Sequence, residues 1–579
     1  MAENKSNISN GASGNPEQVL ENTLQDLIDR AQVEYEKGNL EGALNFLDQA
    51  ILTDPGSAEA FNNRGLVKTS MKKYADAITD LTTAITFSPE FEVAYLNRGI
   101  AYYDTNDYPN AIEDFNKVIK FNPKYTLAYS YLGISYGNIG KYEESINTLN
   151  KTIELEPDFP THYFNRAYYY DLTGKKQEAL IDYNEVIRLD SKYADAYLNR
   201  GLIFYYWERY QEAIADYSKA IEINPQYSSA YFNRGRAYNK LRNFESAIAD
   251  LEKTIELEPN DANTRLELGV IYDSKGEYKN AITCYDQVLA VEPDSKDAHF
   301  NRGLAYFSSW KYPEAIDDFK WLAENDHFDH EALFYFGASN YNLNRYDEAI
   351  DYYNKAISLY TENAIYFLER GRAYNALKQY TNAVNDFDKA LKLNNQFAEA
   401  YLLRGSARYY SNELDKALLD FSEAILIDPD YHNAFIERGI CLNKMKRPEE
   451  AISDLKKAYS LFPTNYLSLV DLIEILFVNG KKEEAASYLE KANKLLWPND
   501  QSIIFTLFSW LFKRTDNIDA EQELNTITNQ IKLLKDINYN FSEIRDWLSE
   551  ATLDAPLKKE ITDVVNWLDA TNKNNPYVI

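Results

Sequence analysis

The sequence predicts an all-α fold in which pairs of antiparallel helices stack one after another along the chain. Two observations predict this fold. A small residue recurs with a period of 34 residues, and each period contains two stretches in which apolar residues are spaced three and four apart. Because one helix pair cannot bury both of its faces, stability requires neighbouring pairs, and the chain is expected to form a solenoid.

The period is marked by two series of small residues that keep one register. The first series consists of Gly65, Gly99, Gly133, Ala167, Gly201, Gly235, Gly269, Gly303, Gly337, Gly371, Gly405 and Gly439. The second follows twelve residues later with Ala77, Ala111, Ser145, Ala179, Ala213, Ala247, Ala281, Ala315, Ala349, Ala383, Ala417 and Ala451. Small residues are needed where two helices come close together, so the two series predict a tight crossing within each pair.

Residues 94–123 show how one period makes two helices. Tyr95, Gly99 and Tyr102 are three and four residues apart and share one face of a first helix. A polar break then turns the chain, and a second apolar face begins at Ala111. A proline follows this face and ends the second helix.

This pattern of an aromatic, glycine, tyrosine, alanine, aromatic, alanine and proline resembles the tetratricopeptide repeat (TPR) family. About fourteen tandem copies fit between residues 24 and 499. The resemblance implies a TPR right-handed superhelical solenoid of antiparallel helix pairs, in which the first helices line a concave groove. It also implies that this groove binds extended peptides or helices of partner proteins.

The two ends of the chain differ from the repeats. Residues 1–23 are polar and are expected to form a disordered leader. Residues 500–579 contain about four amphipathic stretches, and we expect them to form a helical C-terminal cap on the last copy. The apolar stretch at residues 503–512 is shorter than the roughly 20 residues that cross a bilayer, so membrane insertion is not expected.

Composition restricts the function further. The formal net charge of −29 disfavours nucleic acid as a partner and favours basic proteins or peptides. Cys284 and Cys441 lie in different copies, so neither a disulfide nor a zinc site is predicted. We expect no cofactor and no metal, and a cytoplasmic location.

Catalytic motifs do not fit their context. Residues 133–137 spell Gly-Ile-Ser-Tyr-Gly, the nucleophile-elbow pattern, but they lie in the middle of a predicted helix without a preceding strand. His327, His330 and Glu331 are close in sequence but lie at a junction between copies, where solvated surface is the better interpretation. The chain is therefore predicted not to be an enzyme.

Nine copies carry an arginine directly before the small residue and an aspartate sixteen residues after that arginine. The pairs are Arg64 and Asp80, Arg98 and Asp114, Arg166 and Asp182, Arg200 and Asp216, Arg234 and Asp250, Arg302 and Asp318, Arg370 and Asp386, Arg404 and Asp420, and Arg438 and Asp454. Four copies lack both residues, with Leu132, Leu268, Phe336 and Leu472 opposite Thr148, Cys284, Tyr352 and Tyr488. Only the first copy, with Arg30 and Phe46, breaks the rule. This covariation predicts a structural ion pair between the two helices of a copy, because an unpaired buried charge is costly.

The residue before the arginine is asparagine in six copies: Asn63, Asn97, Asn165, Asn199, Asn233 and Asn301. An amide both donates and accepts hydrogen bonds, so such a row can hold an extended peptide backbone. The row is similar to the asparagine ladder in the TPR region of O-linked N-acetylglucosamine transferases. Asparagine is also common at this place in the family, so an ordinary consensus role stays open. Later copies have Glu369, Leu403 and Glu437 instead, which predicts a more acidic second half.

Aromatic residues are expected to supply the apolar part of the groove. The candidates are Tyr103, Tyr205, Tyr206, Tyr409 and Tyr410. Tyrosine provides a large contact area at a low entropy cost. Packing between copies is the alternative role for any one of them.

Together these observations predict a non-enzymatic protein-interaction scaffold. Three alternatives stay open. The chain could be a regulatory or targeting subunit that recruits a separate enzyme, a self-assembling structural solenoid, or, as the least favoured alternative, a protein with an enzymatic tail at residues 500–579. The sequence does not predict the oligomeric state or the identity of the partner.

Overall fold

The computed structural model describes residues 16–325, 329–495, 499–516, 521–531 and 555–571, with the short pieces 544–545, 548–549, 551 and 553. Every regular element among these residues is an α-helix. The chain divides into two compact units, which comprise residues 1–276 and 277–579.

Unit 1 contains seven helix pairs and a final single helix. Its helices are α1 (Pro16–Glu36), α2 (Leu40–Thr53), α3 (Ala58–Ser70), α4 (Tyr74–Phe87), α5 (Glu92–Asp104), α6 (Tyr108–Phe121), α7 (Thr126–Asn138), α8 (Tyr142–Leu155), α9 (Pro160–Leu172), α10 (Lys176–Leu189), α11 (Ala194–Tyr206), α12 (Tyr210–Ile223), α13 (Ser228–Lys240), α14 (Phe244–Leu257) and α15 (Ala262–Ser274).

Unit 2 begins with a single helix, continues with six pairs and ends with three further described helices. They are α16 (Tyr278–Val291), α17 (Lys296–Ser308), α18 (Tyr312–Asn325), α19 (His330–Asn342), α20 (Tyr346–Leu359), α21 (Ala364–Ala376), α22 (Tyr380–Leu393), α23 (Ala398–Tyr410), α24 (Leu414–Ile427), α25 (His432–Lys444), α26 (Pro448–Leu461), α27 (Tyr466–Val478), α28 (Lys482–Asn493), α29 (Asn499–Thr515), α30 (Glu521–Ile531) and α31 (Ala555–Thr571). The predicted all-α array of helix pairs is confirmed.

The small residues lie at the helix crossings, as the sequence predicts. A Cβ atom placed on Gly99 would lie 2.7 Å from Cε1 of Phe115, and one on Gly235 would lie 3.2 Å from the carbonyl oxygen of Ala247. The first distance shows that the ring of the second helix fills the space that glycine leaves open. The second shows that the two backbones approach closely, so a larger residue at either place would push the helices apart.

In each helix pair, the turn between the two helices contains one residue in the left-handed region of backbone conformation. Glycine occupies this position in some pairs, as in Gly140 at φ 78°, because it has no Cβ to oppose that conformation. Asn106 takes it at φ 60°. The next residue, Asp107, then accepts a hydrogen bond from the backbone nitrogen of Asn110 and caps the second helix.

The first helix starts earlier than the sequence predicts. Residues 1–15 of the expected disordered leader lie outside the described residues, but α1 begins at Pro16. Residues 16–23 are therefore helical. Proline is favourable at the first helical position because its φ is already close to the helical value.

Helices α29, α30 and α31 supply buried apolar residues to the same cluster as the last helix pairs. Phe508, Trp510 and Ile561 are fully buried there together with Leu472 of α27. Nε of Arg514 donates to Glu560 at 3.0 Å and joins α29 to α31. These helices cover the end of the array, which is the position of the C-terminal cap that the sequence predicts.

Candidate functional site

The nine arginines named above fix the position of the first helices. In one example, Nε and Nη2 of Arg200 donate to the two carboxylate oxygens of Asp216 at 2.7 and 2.6 Å. All nine pairs make this contact through both nitrogens. The aspartates are buried, whereas the arginine side chains keep 12 to 23% of their surface exposed. Two parallel hydrogen bonds fix direction as well as distance.

The third nitrogen of each arginine donates a hydrogen bond to the preceding helix pair. The sequence reasoning missed this contact. Nη1 of Arg200 donates to Oδ1 of Asn184 at 2.7 Å, and the other eight arginines contact the residue sixteen places upstream in the same way. These acceptors are Asp48, Thr82, Asn150, Ser218, Asp286, Asn354, Asp388 and Ser422. Each arginine therefore joins three helices from two successive copies, and we call this contact an arginine staple.

A signal for the staple is present in the sequence. The upstream acceptor is always a short polar residue when an arginine follows. The same place holds Glu252, Lys320 and Lys456 before three of the four copies that lack the arginine. A lysine there would repel a guanidinium instead of accepting from it.

Burial limits how much these ion pairs stabilise the fold. Burial raises the pKa of the Asp216 carboxyl, and this effect exceeds the lowering by the Arg200 guanidinium. The pKa values of Asp114 and Asp182 are raised for the same reason. The pairs therefore specify geometry more than they add stability. Where both partners are missing, Phe336 instead stacks on Tyr352 with ring centroids 3.7 Å apart.

The asparagine row does not form a uniform ladder. Asn97 is only 8% exposed and donates to Oδ1 of Asn62 at 2.9 Å, and Asn62 in turn donates to Asn63 at 2.9 Å. The prediction that Asn97 faces a groove is wrong, because Asn62 is a polar residue at a place that is apolar in other copies, such as Leu96 and Leu198. Its amide draws Asn97 inward.

The other asparagines of the row keep part of their surface exposed: Asn63, Asn165, Asn199, Asn233 and Asn301. Two of them have local partners. Asn233 donates to the carbonyl oxygen of Ser229 at 2.8 Å, one helical turn earlier. Asn199 hydrogen bonds to the Tyr183 phenol. Each amide has further donor or acceptor capacity for a ligand.

The predicted tyrosines include two exposed aromatics of the first helices. Tyr206 is 68% exposed and Tyr410 is 40% exposed. Tyr205 and Tyr409 are half-buried and lie edge-on to these two rings, at 6.0 and 5.3 Å. Tyr103 packs edge-on between two other tyrosines and is half-buried, so packing explains it better than binding.

Two further arginines on the first helices, Arg236 and Arg372, were missed by the sequence reasoning. Arg236 lies beside Tyr205, with its guanidinium carbon 5.2 Å from the ring centroid, and its Nε is 3.4 Å from Glu267. In unit 2, Arg372 forms ion pairs with Glu369 and Glu399. Arg236 in unit 1 and Arg372 in unit 2 are thus partly exposed arginines that lie next to glutamates.

No catalytic arrangement emerges in the part of the chain that the structure describes. Residues 133–137 lie inside α7. His330 hydrogen bonds to the Tyr366 hydroxyl at 2.8 Å, and His327 lies outside the described residues. Among the described residues, no cluster of three or more potential metal ligands is present. Within the same residues, none of the helices has the length and apolar character needed to span a bilayer.

Sequence profiles of the tetratricopeptide repeat match the chain along most of the array. Those described as "Tetratricopeptide repeat" match residues 93–125, 132–194, 194–227, 228–261, 330–363 and 432–465, and one described as "TPR repeat" matches residues 271–309 and 371–409. The chain belongs to the TPR family. TPR repeats indicate a protein-interaction scaffold. No curated protein matches the sequence.

Solved structures similar to this TPR protein are distant. The APC/C hetero-tetramer Cut9–Hcn1 is 14% identical over 78% of this chain and 96% of that chain, with a TM-score of 0.35. MamA is 28% identical over 30% of this chain and 96% of that chain, with a TM-score of 0.28. A TPR protein from Parabacteroides merdae is 19% identical over 43% and 99%, with a TM-score of 0.36.

Proposed function

We propose that this TPR protein is a non-enzymatic scaffold that binds an extended segment of a partner protein along its first helices. The observation that carries the proposal is the partly exposed row of Asn165, Asn199 and Asn233 in unit 1. Amides at the same place of successive copies can hydrogen bond to a peptide backbone whatever its sequence. Arginine staples fix the helices that bear all three amides.

Aromatic and charged side chains on the same helices add to this row. Tyr206 offers a ring that is 68% exposed, and Arg236 is held next to Tyr205 at 5.2 Å. Aromatic and arginine side chains contribute strongly to binding when a partner covers them. The net charge of −29 favours basic partners over acidic ones.

The test is affinity capture from extract of the source cells with the full chain. The wild-type protein is compared with a variant that carries Asn165→Ala, Asn199→Ala and Asn233→Ala. A matched control carries the same change at exposed asparagines of second helices, namely Asn45, Asn116 and Asn147. Circular dichroism checks that both variants keep their helix content.

We expect the wild-type chain and the control to capture the same partner and the first-helix variant to release it. Equal capture by all three proteins would contradict the proposal and would place recognition elsewhere on the chain. Capture of an enzyme through the same asparagines would identify the scaffold as a targeting subunit. Sedimentation of the purified chain at increasing concentration tests self-assembly.

A further inference from the structure

Two carboxylates in unit 2 share a single cation on the face of α21 and α23. Arg372 forms an ion pair with Glu399, which is 40% exposed. Its Nε lies 3.6 Å from Glu369, too far for a hydrogen bond, and has no hydrogen-bond partner among the described residues. The group of three side chains therefore carries one excess negative charge.

Two further polar groups next to this cluster lack partners within the described structure. Asn375 lies one turn beyond Arg372 on α21, is 7% exposed, and has no donor for its Oδ1. Tyr353 is fully buried, and its hydroxyl has no hydrogen bond. Burial raises the pKa of this phenol well above its ordinary value, and the charge of Glu369 raises it further.

The position of Tyr353 is fixed by packing. A Cβ on Gly337 would lie 2.8 Å from Cε1 of the Tyr353 ring, so the ring fills the crossing between α19 and α20. Such a ring cannot turn to find another partner for its hydroxyl. Buried polar groups without partners are uncommon. The fully buried Tyr353 hydroxyl is closed to a ligand, whereas Asn375, which is 7% exposed, can gain from a ligand the hydrogen bond that the fold leaves unmade.

Unit 1 has a less acidic counterpart 136 residues earlier in the sequence. Tyr217, Asn233 and Arg236 stand there in place of Tyr353, Glu369 and Arg372. The Tyr217 hydroxyl also lacks a hydrogen bond among the described residues. The buried phenol and the arginine are thus shared by the two sites, whereas Asn233 stands in unit 1 where unit 2 has Glu369.

A third glutamate lies farther along the face. Glu437 on α25 stands at the same place of its copy as Glu369, two copies further on. It is partly buried and forms no ion pair or hydrogen bond among the described residues. We call Glu369, Arg372, Asn375, Glu399 and Glu437 the acidic face.

We propose that the acidic face binds a lysine- or arginine-bearing extended segment of a partner protein. An ammonium or guanidinium group offers several N–H donors, and the carboxylates of Glu369 and Glu399 and Oδ1 of Asn375 are acceptors. A cationic side chain also compensates the excess charge that Arg372 leaves. This inference rests on the proposed function. It specifies in addition that the bound segment is cationic and that unit 2 recognises it.

The test measures binding of fluorescein-labelled synthetic peptides to the full chain by fluorescence anisotropy. One 15-residue peptide alternates lysine and serine, and a second alternates glutamate and serine. The test variant carries Glu369→Gln, Glu399→Gln and Glu437→Gln. The matched control carries Asp351→Asn, Glu362→Gln and Glu423→Gln, which likewise replace three carboxyl groups by amides, at exposed places of unit 2 outside the acidic face.

We expect the lysine peptide to bind the wild-type chain and the control with similar affinity, and the test variant at least tenfold more weakly. The Arg372→Gln variant, which frees both carboxylates, should bind more tightly than wild type. Equal loss in test and control variants would show non-specific attraction and overturn the inference. Binding of the glutamate peptide would also overturn it.

The variants remain informative if folding is disturbed. Should the triple variant lose helix content, the single Glu399→Gln change at the most exposed carboxylate still predicts a measurable loss of affinity. Failure of the inference is distinct from failure of the proposed function. A partner that depends on the unit 1 asparagines but not on these glutamates would overturn only the inference, whereas lysine-peptide binding without such a partner would overturn only the role of the asparagines.

Discussion

At the scale of single residues, the ion pair of Arg200 and Asp216 tests whether the staples stabilise the fold or specify it. Asp216 is 5% exposed, so Arg200→Leu leaves a buried carboxylate without its partner. We expect a loss of about 3 kcal/mol of unfolding free energy, and a smaller loss, by about 1–2 kcal/mol, when Asp216→Leu is added. Urea unfolding of both single variants and the double variant measures the coupling. A coupling near zero would contradict the pairing role.

A second prediction at the scale of single residues concerns Glu437 and the pH dependence of the unfolding free energy. Burial raises the pKa of its carboxyl from 4.5 to about 7, and Tyr410 and Cys441 are the titratable groups that feel its charge. A raised pKa in the folded state favours folding at low pH, and this contribution is lost as the pH rises through 7. Because the side chain is only partly buried, we expect a loss of about 2 kcal/mol between pH 5 and pH 8.

The Glu437→Gln variant lacks this titrating group and should lose less stability over the same range. Thermal unfolding at pH 5 and pH 8 makes the comparison, with the exposed Glu423→Gln as control. At pH 8 the melting temperature of Glu437→Gln should exceed that of the wild type, and at pH 5 the two should agree. A parallel pH response of all three proteins would show that Glu437 has an ordinary pKa.

At the scale of elements, the sequence predicts most of the helices and the Arg–Asp contact within a copy, but not the polar contacts between copies. The 34-residue period predicts the helix pairs because the small residues leave room for a large side chain of the second helix, which is a ring opposite Gly99 and a leucine opposite Gly65. The row of asparagines was less predictable. Whether Asn97 faces a ligand or the interior depends on Asn62, one polar side chain in the neighbouring helix. A contact between copies of this kind leaves no trace in the pattern of either copy alone.

The arginine staples predict where helix pairs separate most easily. The junction between α6 and α7 has no staple, because Leu132 replaces the arginine. We expect backbone amides of α7 to exchange with solvent about tenfold faster than those of α5, which Arg98 holds to Thr82, since one charge-assisted hydrogen bond contributes about 1.5 kcal/mol. Hydrogen exchange followed by mass spectrometry resolves the two helices. Equal protection would show that the staple is dispensable.

A staple can be added at the same junction by substitution. Asn116 already stands sixteen residues before Leu132, at the place of a staple acceptor. The pair of changes Leu132→Arg and Thr148→Asp should therefore create a tenth staple and slow exchange in α7. Leu132→Arg alone should destabilise the chain, because its guanidinium would enter an apolar cluster without a carboxylate. If the double variant is no more protected than the single one, the geometry of the staple is not transferable between copies.

At the scale of the whole molecule, two modes of partner binding are expected to respond differently to salt. One is attraction of a cationic segment to the acidic face, and the other is hydrogen bonding to the neutral amides of unit 1. The net charge is −29, and attraction between a cationic segment and the acidic face is screened within about 8 Å at physiological ionic strength. Raising sodium chloride from 50 to 500 mM should weaken binding of the lysine peptide by at least tenfold, mainly through slower association. Stopped-flow anisotropy separates the association and dissociation rates.

A partner held by the amides of Asn165, Asn199 and Asn233 should respond differently to salt. Hydrogen bonds between amides and a peptide backbone carry no net charge, so capture through this row should persist at 500 mM salt. A partner that occupies both units would show an intermediate response, and Glu399→Gln would reduce its salt dependence without abolishing capture. Complete release of every partner at high salt would show instead that charge alone holds them, and the amide row would then have only a structural role.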